Sequence, residues 1–195
     1  MIFADARPGR PCHITPLGRN ENLMMPAGIY LQEYTFEWAD EFERERAGIE
    51  RALSGKLLAI EHVGSTSIQG MIAKPILDIA VLVSSFKVID ETAKAKLASL
   101  KYDYVHKPEF PMRLFFRRGA LGAGTHHLHI FEDGGLEWNR MIAFRDFLRA
   151  NPNEHEEYAE LKRRLAETSS DRQMYTDGKG SFIVDILKKA KASEA

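Results

Sequence analysis

The sequence predicts an α/β (α+β) domain whose sheet lies in the first two thirds of the chain and whose last third is helical. Short apolar or alternating runs punctuated by Gly, Pro and Ser end near residue 134, and one of them, Ile76 to Val83, is rich in β-branched residues. From Leu136 onward, apolar residues recur instead at helical spacing. A length of 195 residues suits one domain better than two independent cores. Residues 29–192 are therefore read as a single unit, with the sheet-containing core in 29–134 and a helical section in 135–192.

Each element follows from its own pattern. Residues 1–28 mix Pro, Gly, Arg and polar residues without periodicity and read as a loose extension. Ile29 to Tyr34 alternates apolar with polar and predicts a short strand, and Trp38, Phe42, Ile49 and Leu53 then form one stripe of an amphipathic helix. Lys56 to Val63 is a short apolar run ending at Gly64, which fits a strand that delivers the chain into the polar bend Gly64-Ser65-Thr66-Ser67. Ile76 to Val83 predicts a central strand with one charged residue, Asp78. Phe86 to Leu100 places Val88, Ile89, Ala93 and Leu97 at helical spacing without Gly or Pro, so it predicts a helix on the sheet. Arg113 to Arg117 and Thr125 to Phe131 are alternating strands that Gly119, Gly122 and Gly124 would join as a hairpin. Three helices follow, carrying Met141, Phe144 and Leu148, then Tyr158, Leu161 and Leu165, then Phe182, Ile186, Leu187 and Ala190. Pro152 separates the first two, and Gly178 with Gly180 precedes the last.

Composition narrows the function. Lys and Arg number 27 against 28 Asp and Glu, so no global field favours a nucleic acid or an anionic membrane, and any anion site must be local. No run approaches the roughly 18 consecutive apolar residues of a membrane helix. The single cysteine, Cys12, rules out an intrachain disulfide and a multi-thiolate zinc site, which agrees with a reducing, cytoplasmic setting.

Two constellations carry chemistry. Gly64, Ser65 and Thr66 stand at a strand-to-loop junction a short distance before Asp78. A glycine lets backbone N–H groups approach phosphate oxygens, the hydroxyls add donors, and a strand carboxylate can hold Mg²⁺ shared with those phosphates. The plainer alternative is a simple turn beside a buried acid satisfied by backbone donors. An aspartate inside Ile-Leu-Asp-Ile-Ala-Val is costly unless partnered, with Lys74, the later histidines or a cation as candidates. Lys74 precedes Pro75 and is placed to aim at phosphate or at Asp78, or to be an exposed loop lysine. In the second constellation, His127 and His129 share one strand face while Leu128 and Ile130 share the other. Two imidazoles on one face suit a metal, a phosphate clamp or acid–base work, or else a hydrogen-bonded pair at a sheet edge. Glu132 follows at the strand end as a further carboxylate. Arg113 and Arg117 flank Phe115 on one face. Tyr158 with Lys162, and Tyr175 with Lys179, read as packing pairs with snorkelling lysines.

The segments Glu61-His62-Val63-Gly64-Ser65-Thr66-Ser67-Ile68, Ala73-Lys74-Pro75-Ile76-Leu77-Asp78-Ile79 and His127-Leu128-His129 resemble the GrpB family. Glu137-Trp138, Ala143-Phe144-Arg145-Asp146-Phe147-Leu148-Arg149, Tyr158-Ala159-Glu160-Leu161-Lys162, Tyr175, Lys179 and Phe182-Ile183 resemble its helical half in the same order, so the likeness spans about residues 29–190. The resemblance implies a nucleotidyltransferase-like fold related to the catalytic core of polymerase beta, a mixed sheet flanked by helices with a helical C-terminal section. In that superfamily a glycine-serine loop cradles the triphosphate and strand acids bind Mg²⁺, matching Gly64, Ser65 and Asp78. The second acid of the pattern is replaced here by Ala80. Some family members are fused to dephospho-coenzyme A kinase, a hint of nucleotide or coenzyme A metabolism.

The expectation is Mg²⁺-dependent transfer of a nucleotidyl group from a nucleoside triphosphate to a small acceptor. Gly64, Ser65, Thr66 and Lys74 would hold phosphates, Asp78 and Glu132 the metal, and Asp78, Lys74, His127 and His129 would serve catalysis. Two alternatives stay open: an inactive module binding a nucleotide or phosphorylated metabolite, and a metalloenzyme built on His127, His129 and Glu132. Nothing in the charge balance favours a nucleic-acid partner.

Overall fold

The computed structural model describes residues 29–120 and 123–193; the extension read at residues 1–28, and Gly122 of the hairpin loop, lie outside them. Five strands, β1 (Leu57–Val63), β2 (Leu77–Val83), β3 (Asp103–Val105), β4 (Leu114–Ala120) and β5 (Ala123–Glu132), form one sheet in the order β1-β2-β5-β4-β3. β2 runs antiparallel to β1 but parallel to β5, and β4 is antiparallel to both β5 and β3. This is the expected α/β arrangement, a mixed sheet with helices around it. Its β-branched run, Ile79 to Val83, occupies an interior strand, as its composition requires.

The two-residue period of β2 divides the molecule. Leu77, Ile79, Val81 and Val83 point to one face, where they meet Leu128, Ile130 and Phe116 from neighbouring strands. That face is sealed by Trp38, Phe42 and Ile49 of α1 (Glu37–Ala52), by Leu53 just beyond it, and by Ala93 and Leu97 of α2 (Glu91–Ser99). Each such aliphatic side chain contributes about 1.5–3 kcal/mol on burial, so this core fixes the register of β2. With the register set, Asp78 and Ala80 must emerge on the opposite face. There Val63, Ala80 and Phe131 pack against Trp138, Met141 and Ile142 of α3 (Leu136–Ala150), and Asp78 lies outside that cluster.

Three more helices, α4 (Pro152–Thr168), α5 (Arg172–Asp177) and α6 (Gly180–Ser193), complete the helical section. Pro152 stands in the first turn of α4, where its missing N–H costs nothing. Leu148, Tyr158, Ala159 and Ile186 pack on Ile68, Met71 and Ile72, the segment that follows the polar bend. The helices thus clamp the loop between β1 and β2. Arg145, buried on α3, fastens this half to the sheet by donating to the Glu61 carboxylate at 2.7 Å and the His62 carbonyl at 2.8 Å.

Some expectations need correction. Ile29 to Tyr34 is not a strand: Gln32 makes an isolated bridge to Ala73, with bonds of 2.8 and 2.9 Å, while Ile29 packs on Ala166 and Tyr175. Its apolar residues are buried by helices rather than by a sheet face. Phe86 to Leu100 is not one helix, because the Asp90 carboxylate accepts from the Ala93 N–H at 2.8 Å and starts α2 there, leaving a single 3-10 turn at Phe86–Val88. The helices after Leu136 number four rather than three: Asp171 caps the six-residue α5 by accepting from the Met174 N–H. β3, three residues long, is too short to show a period. Among the described residues no helix is long and apolar enough to cross a membrane.

Arg145→Ala would strand the buried His62 carbonyl and leave Glu61 without its partner. An expected loss of about 2–3 kcal/mol, read by urea denaturation, checks its fastening role; a change under about 0.5 kcal/mol, as at an ordinary surface site, would contradict it.

Candidate functional site

Strand register builds the site. Val63 opposes Asp78 across β1 and β2, so Gly64 follows directly beside the aspartate. Asp78 opposes His127 and Ala80 opposes His129 across the parallel pair, while Phe115 and Arg117 of β4 oppose His129 and His127. Side chains of four strands therefore share the face left open by the main core. Gly64 is required twice over: its φ is +68°, and a Cβ there would collide with the Asp78 carboxylate and lie 2.9 Å from the Asp78 Cβ.

Asp78 Oδ1 accepts from His127 Nδ1 at 3.0 Å and lies 3.6 Å from His129 Nε2. The Phe115 ring packs against both imidazoles, with centroids 5.2 and 5.3 Å away, and fixes their planes. Burial by itself would raise the Asp78 carboxyl, but the hydrogen bond from His127 and the close approach of His129 outweigh it and hold the group well below the usual carboxylate range. Burial pushes His129 down, so its imidazole is neutral near pH 7. His129 is 6% exposed, and its Nδ1 is buried without a hydrogen-bond partner. Asp78 Oδ1, His127 and His129 offer ligand atoms within 4.8 Å of one another.

Three lysines gather at two tyrosine rings, and one of them, Lys179, feels the Asp78 charge. The ammonium groups of Lys74 and Lys179 sit 4.1 and 4.6 Å from the centre of the Tyr175 ring, and that of Lys162 sits 4.7 Å from the Tyr158 ring while donating to the Ile72 carbonyl. Burial, helped by the charge of Lys179, lowers Lys74 to about 8 and Lys162 to about 6. Lys179 is itself lowered by burial and partly restored by the field of Asp78. Burial pushes Tyr158 up to about 12, with the Asp78 charge adding and Ser65 opposing. Three lysines, held by aromatic faces rather than carboxylates, are thus gathered in one part of a chain with no net field.

The residues singled out in the sequence are distributed unevenly. Gly64, Asp78, His127 and His129 converge, with Ser65 beside Tyr158. Thr66 does not join them: its buried hydroxyl donates to the Ile76 carbonyl at 3.3 Å and lies 3.0 Å from His62 Nε2. Burial lowers His62 to about 4, and with the Thr66 hydrogen given to Ile76 the neutral ring donates from Nε2 in that contact. Lys74 turns to Tyr175 rather than to Asp78. Glu132 sits at the far end of β5, where its carboxylate accepts from Ser85 Oγ at 3.0 Å and from the Phe86 N–H, and it is outside the Asp78 group. Arg113 stacks on Phe110 and Phe115 at the rim. Lys162 and Lys179, read as packing pairs, do lie over Tyr158 and Tyr175, the first buried and the second half-buried. Their signal was the Tyr-to-Lys spacing, which a surface helix shares.

A cleft of about 880 Å³ opens elsewhere, lined by Tyr34, Phe42, His62, Arg145, Arg149 and His155, with Thr66 and Ser67 at its edge. Its arginines are internally satisfied, Arg145 by Glu61 and Asp146 and Arg149 by the Ser67 carbonyl, whereas at Asp78 ligand-type polar groups converge.

Fold and site together define a mixed-sheet α/β protein whose buried strand carries one acid, Asp78, with an alanine two residues on and a histidine across from that alanine. The chain belongs to the GrpB family, whose model, described as GrpB protein, matches residues 28–189. It is 39% identical over 171 residues to a UPF0157 protein of Halalkalibacterium halodurans, covering 86% of this chain and 85% of that one. It is 33% identical to the glutamate-rich protein GrpB of Alkalihalophilus pseudofirmus, over 83% of this chain and 95% of the relative. The crystal structure of the conserved protein GrpB from Enterococcus faecalis superposes with a TM-score of 0.77 at 32% identity, over 84% of this chain and 98% of that one.

Lys162 supplies a pH test. It titrates near 6 in the fold and near the ordinary lysine value of about 10.4 in the unfolded chain. Between those values the unfolded chain binds the extra proton, so stability rises with pH across that window and is lowest below it. Lys162→Met is expected to flatten this rise and to melt above wild type at pH 7. An unaltered slope in thermal unfolding from pH 6 to 9 would contradict the buried, depressed lysine.

Proposed function

We propose that the protein transfers a nucleotidyl group from a nucleoside triphosphate to a small-molecule acceptor, using a divalent cation carried on Asp78. The observation that carries this reading is the wedge of one ionised carboxylate between the Gly64 bend and two imidazoles, with three unpaired-by-carboxylate lysines alongside. A phosphate chain needs close backbone approach, fixed positive charge and a metal, and this face offers candidates for all three.

In this reading Gly64 and Ser65 hold phosphate oxygens, Lys74 and Lys179 offset charge on the tail, and Lys162, mostly neutral near pH 7 in the free protein, gains its proton beside a bound phosphate. Thr66 has no part, since its hydroxyl is committed to Ile76 and His62. The acceptor oxygen attacks the α-phosphorus, forming one P–O bond as the bond to the bridging oxygen breaks. Pyrophosphate leaves with that electron pair, and the acceptor proton passes to solvent. A bound cation would supply Lewis-acid charge at the phosphates. For Mg²⁺, the ion suggested by the sequence, Asp78 is one carboxylate oxygen source; Ala80 offers none and Glu132 is engaged elsewhere, so the substrate's phosphates would furnish the remainder. The burial of the lysines favours a compact phosphorylated ligand over a nucleic-acid track.

A second reading, a nucleotide or phosphometabolite binding module without turnover, is favoured by one observation, the alanine at position 80. Incubation with each nucleoside triphosphate and pooled small acceptors, in Mg²⁺ and separately in Mn²⁺, separates the two. Pyrophosphate release that falls at least 100-fold in Asp78→Asn is expected. Tight binding without release, unaltered in that variant, would replace transfer with the binding module.

A further inference from the structure

We propose that Asp78, His127 and His129 bind a transition-metal ion of the Zn²⁺ class, and that this rather than Mg²⁺ is the ion the protein itself holds. The inference shares the site of the transfer reading but does not depend on the reaction.

Donor chemistry is the first ground. Mg²⁺ selects oxygen and binds imidazole poorly, whereas Zn²⁺, Fe²⁺ and Co²⁺ accept a mixed nitrogen and oxygen set. In the cluster of Asp78, His127 and His129, the only one of its kind among the described residues, two of three donors are imidazole. No second protein carboxylate is offered, because the β2 position that would present one is Ala80 and Glu132 caps the Phe86 turn.

Geometry is the second ground. The period of β5 sends His127 and His129 to one face, and the parallel register sets Asp78 against the first and Ala80 against the second. The small side chain of Ala80 leaves the diagonal from His129 to Asp78 open. His127, directly opposite, presents its near nitrogen, Nδ1, at 3.0 Å from Oδ1; His129, a diagonal step away, presents its far nitrogen, Nε2, at 3.6 Å. Each ring thus brings a nitrogen within 3.6 Å of the same oxygen, close enough for the three groups to share one ion. Three protein ligands leave coordination positions free for a phosphate or water.

The bland account, two histidines hydrogen-bonded to an acid, covers His127 but not His129. At 3.6 Å its Nε2 is beyond a normal hydrogen bond, and its Nδ1 is buried with no partner. The unpartnered Nδ1 and the long Nε2 contact leave His129 poorly bonded, and ligation through Nε2 would supply one of the two missing interactions. The cations that feel Asp78, Lys179 and Arg113, oppose a bare metal ion. An anion binding with the metal would offset them, so pyrophosphate should tighten the ion.

Titration of the chelator-treated full chain tests this without any reaction. Co²⁺ is followed by its visible absorption, and Zn²⁺ and Mg²⁺ by their power to displace it. One equivalent of Co²⁺ is expected, with Zn²⁺ competing at least 100-fold better than Mg²⁺ and pyrophosphate improving Co²⁺ affinity severalfold. His127→Ala, at a half-exposed position that the fold tolerates, should weaken Co²⁺ at least tenfold, as should Asp78→Asn; exposed His106→Ala should not. Mg²⁺ competing as well as Zn²⁺, or His127→Ala binding Co²⁺ like wild type, would overturn the proposal. If Co²⁺ and Zn²⁺ bind as expected and the loaded protein releases no pyrophosphate from any triphosphate, the metal site stands and the transfer reading falls.

Discussion

A negative charge sits in the most apolar strand of the chain, and the fold accommodates it by turning it toward two imidazoles. Burying a lone carboxylate costs several kcal/mol. Asp78 escapes most of that because β2 alternates: its apolar residues anchor one face, and their register forces the acid out onto the other. The same register sets His127 across from it and Gly64 at its side, and the glycine is there because no side chain would fit. Core packing and site geometry are therefore one constraint. A slip of β2 by one residue would bury Asp78 among Leu128 and Ile130 and expose Ile79 to the histidines.

The helical section has a function of its own in this arrangement. It clamps the segment after the bend through Ile68, Met71 and Ile72, and it brings Lys162 and Lys179 to the site over two tyrosine rings. Aromatic faces hold these lysines, whereas carboxylates pair Arg118 and Arg145 elsewhere. Lysines of a protein with nearly balanced charge are thereby gathered in one place, with Lys179 near enough to feel Asp78.

Much of this was legible in the sequence, and the residues show why. Asp78 declared itself as a charge inside a β-branched run, and His127 and His129 declared a shared face through their spacing of two. Gly64 marked a strand end. These are local signals, and the fold that converts them into contacts follows from periodicity. What was not legible depended on long-range neighbours. The hydroxyl of Thr66 looked as available as that of Ser65, yet His62 and the Ile76 carbonyl claim it. Glu132 looked like a ligand because it follows the histidines, but at the strand end it meets the Phe86 turn. Lys162 has the spacing of a surface helix, and only the packing of α4 on the loop buries it. Asp90 broke the helix expected over Phe86 to Leu100 because a cap outranks an apolar stripe when the two conflict.

The central claim, that Asp78 is an ionised carboxylate poised between its histidines for a cation or a phosphate, is tested most directly by the ¹³C resonance of its side-chain carboxyl in the metal-free protein, followed through an acid titration. The account predicts that Asp78 still shows the ionised shift at a pH where an ordinary aspartate is half protonated, and that the resonance of His127 moves with it when protonation finally occurs. A midpoint at or above the ordinary aspartate value, with His127 unresponsive, would mean the acid is simply a sealed, neutral core residue, and the site would not exist.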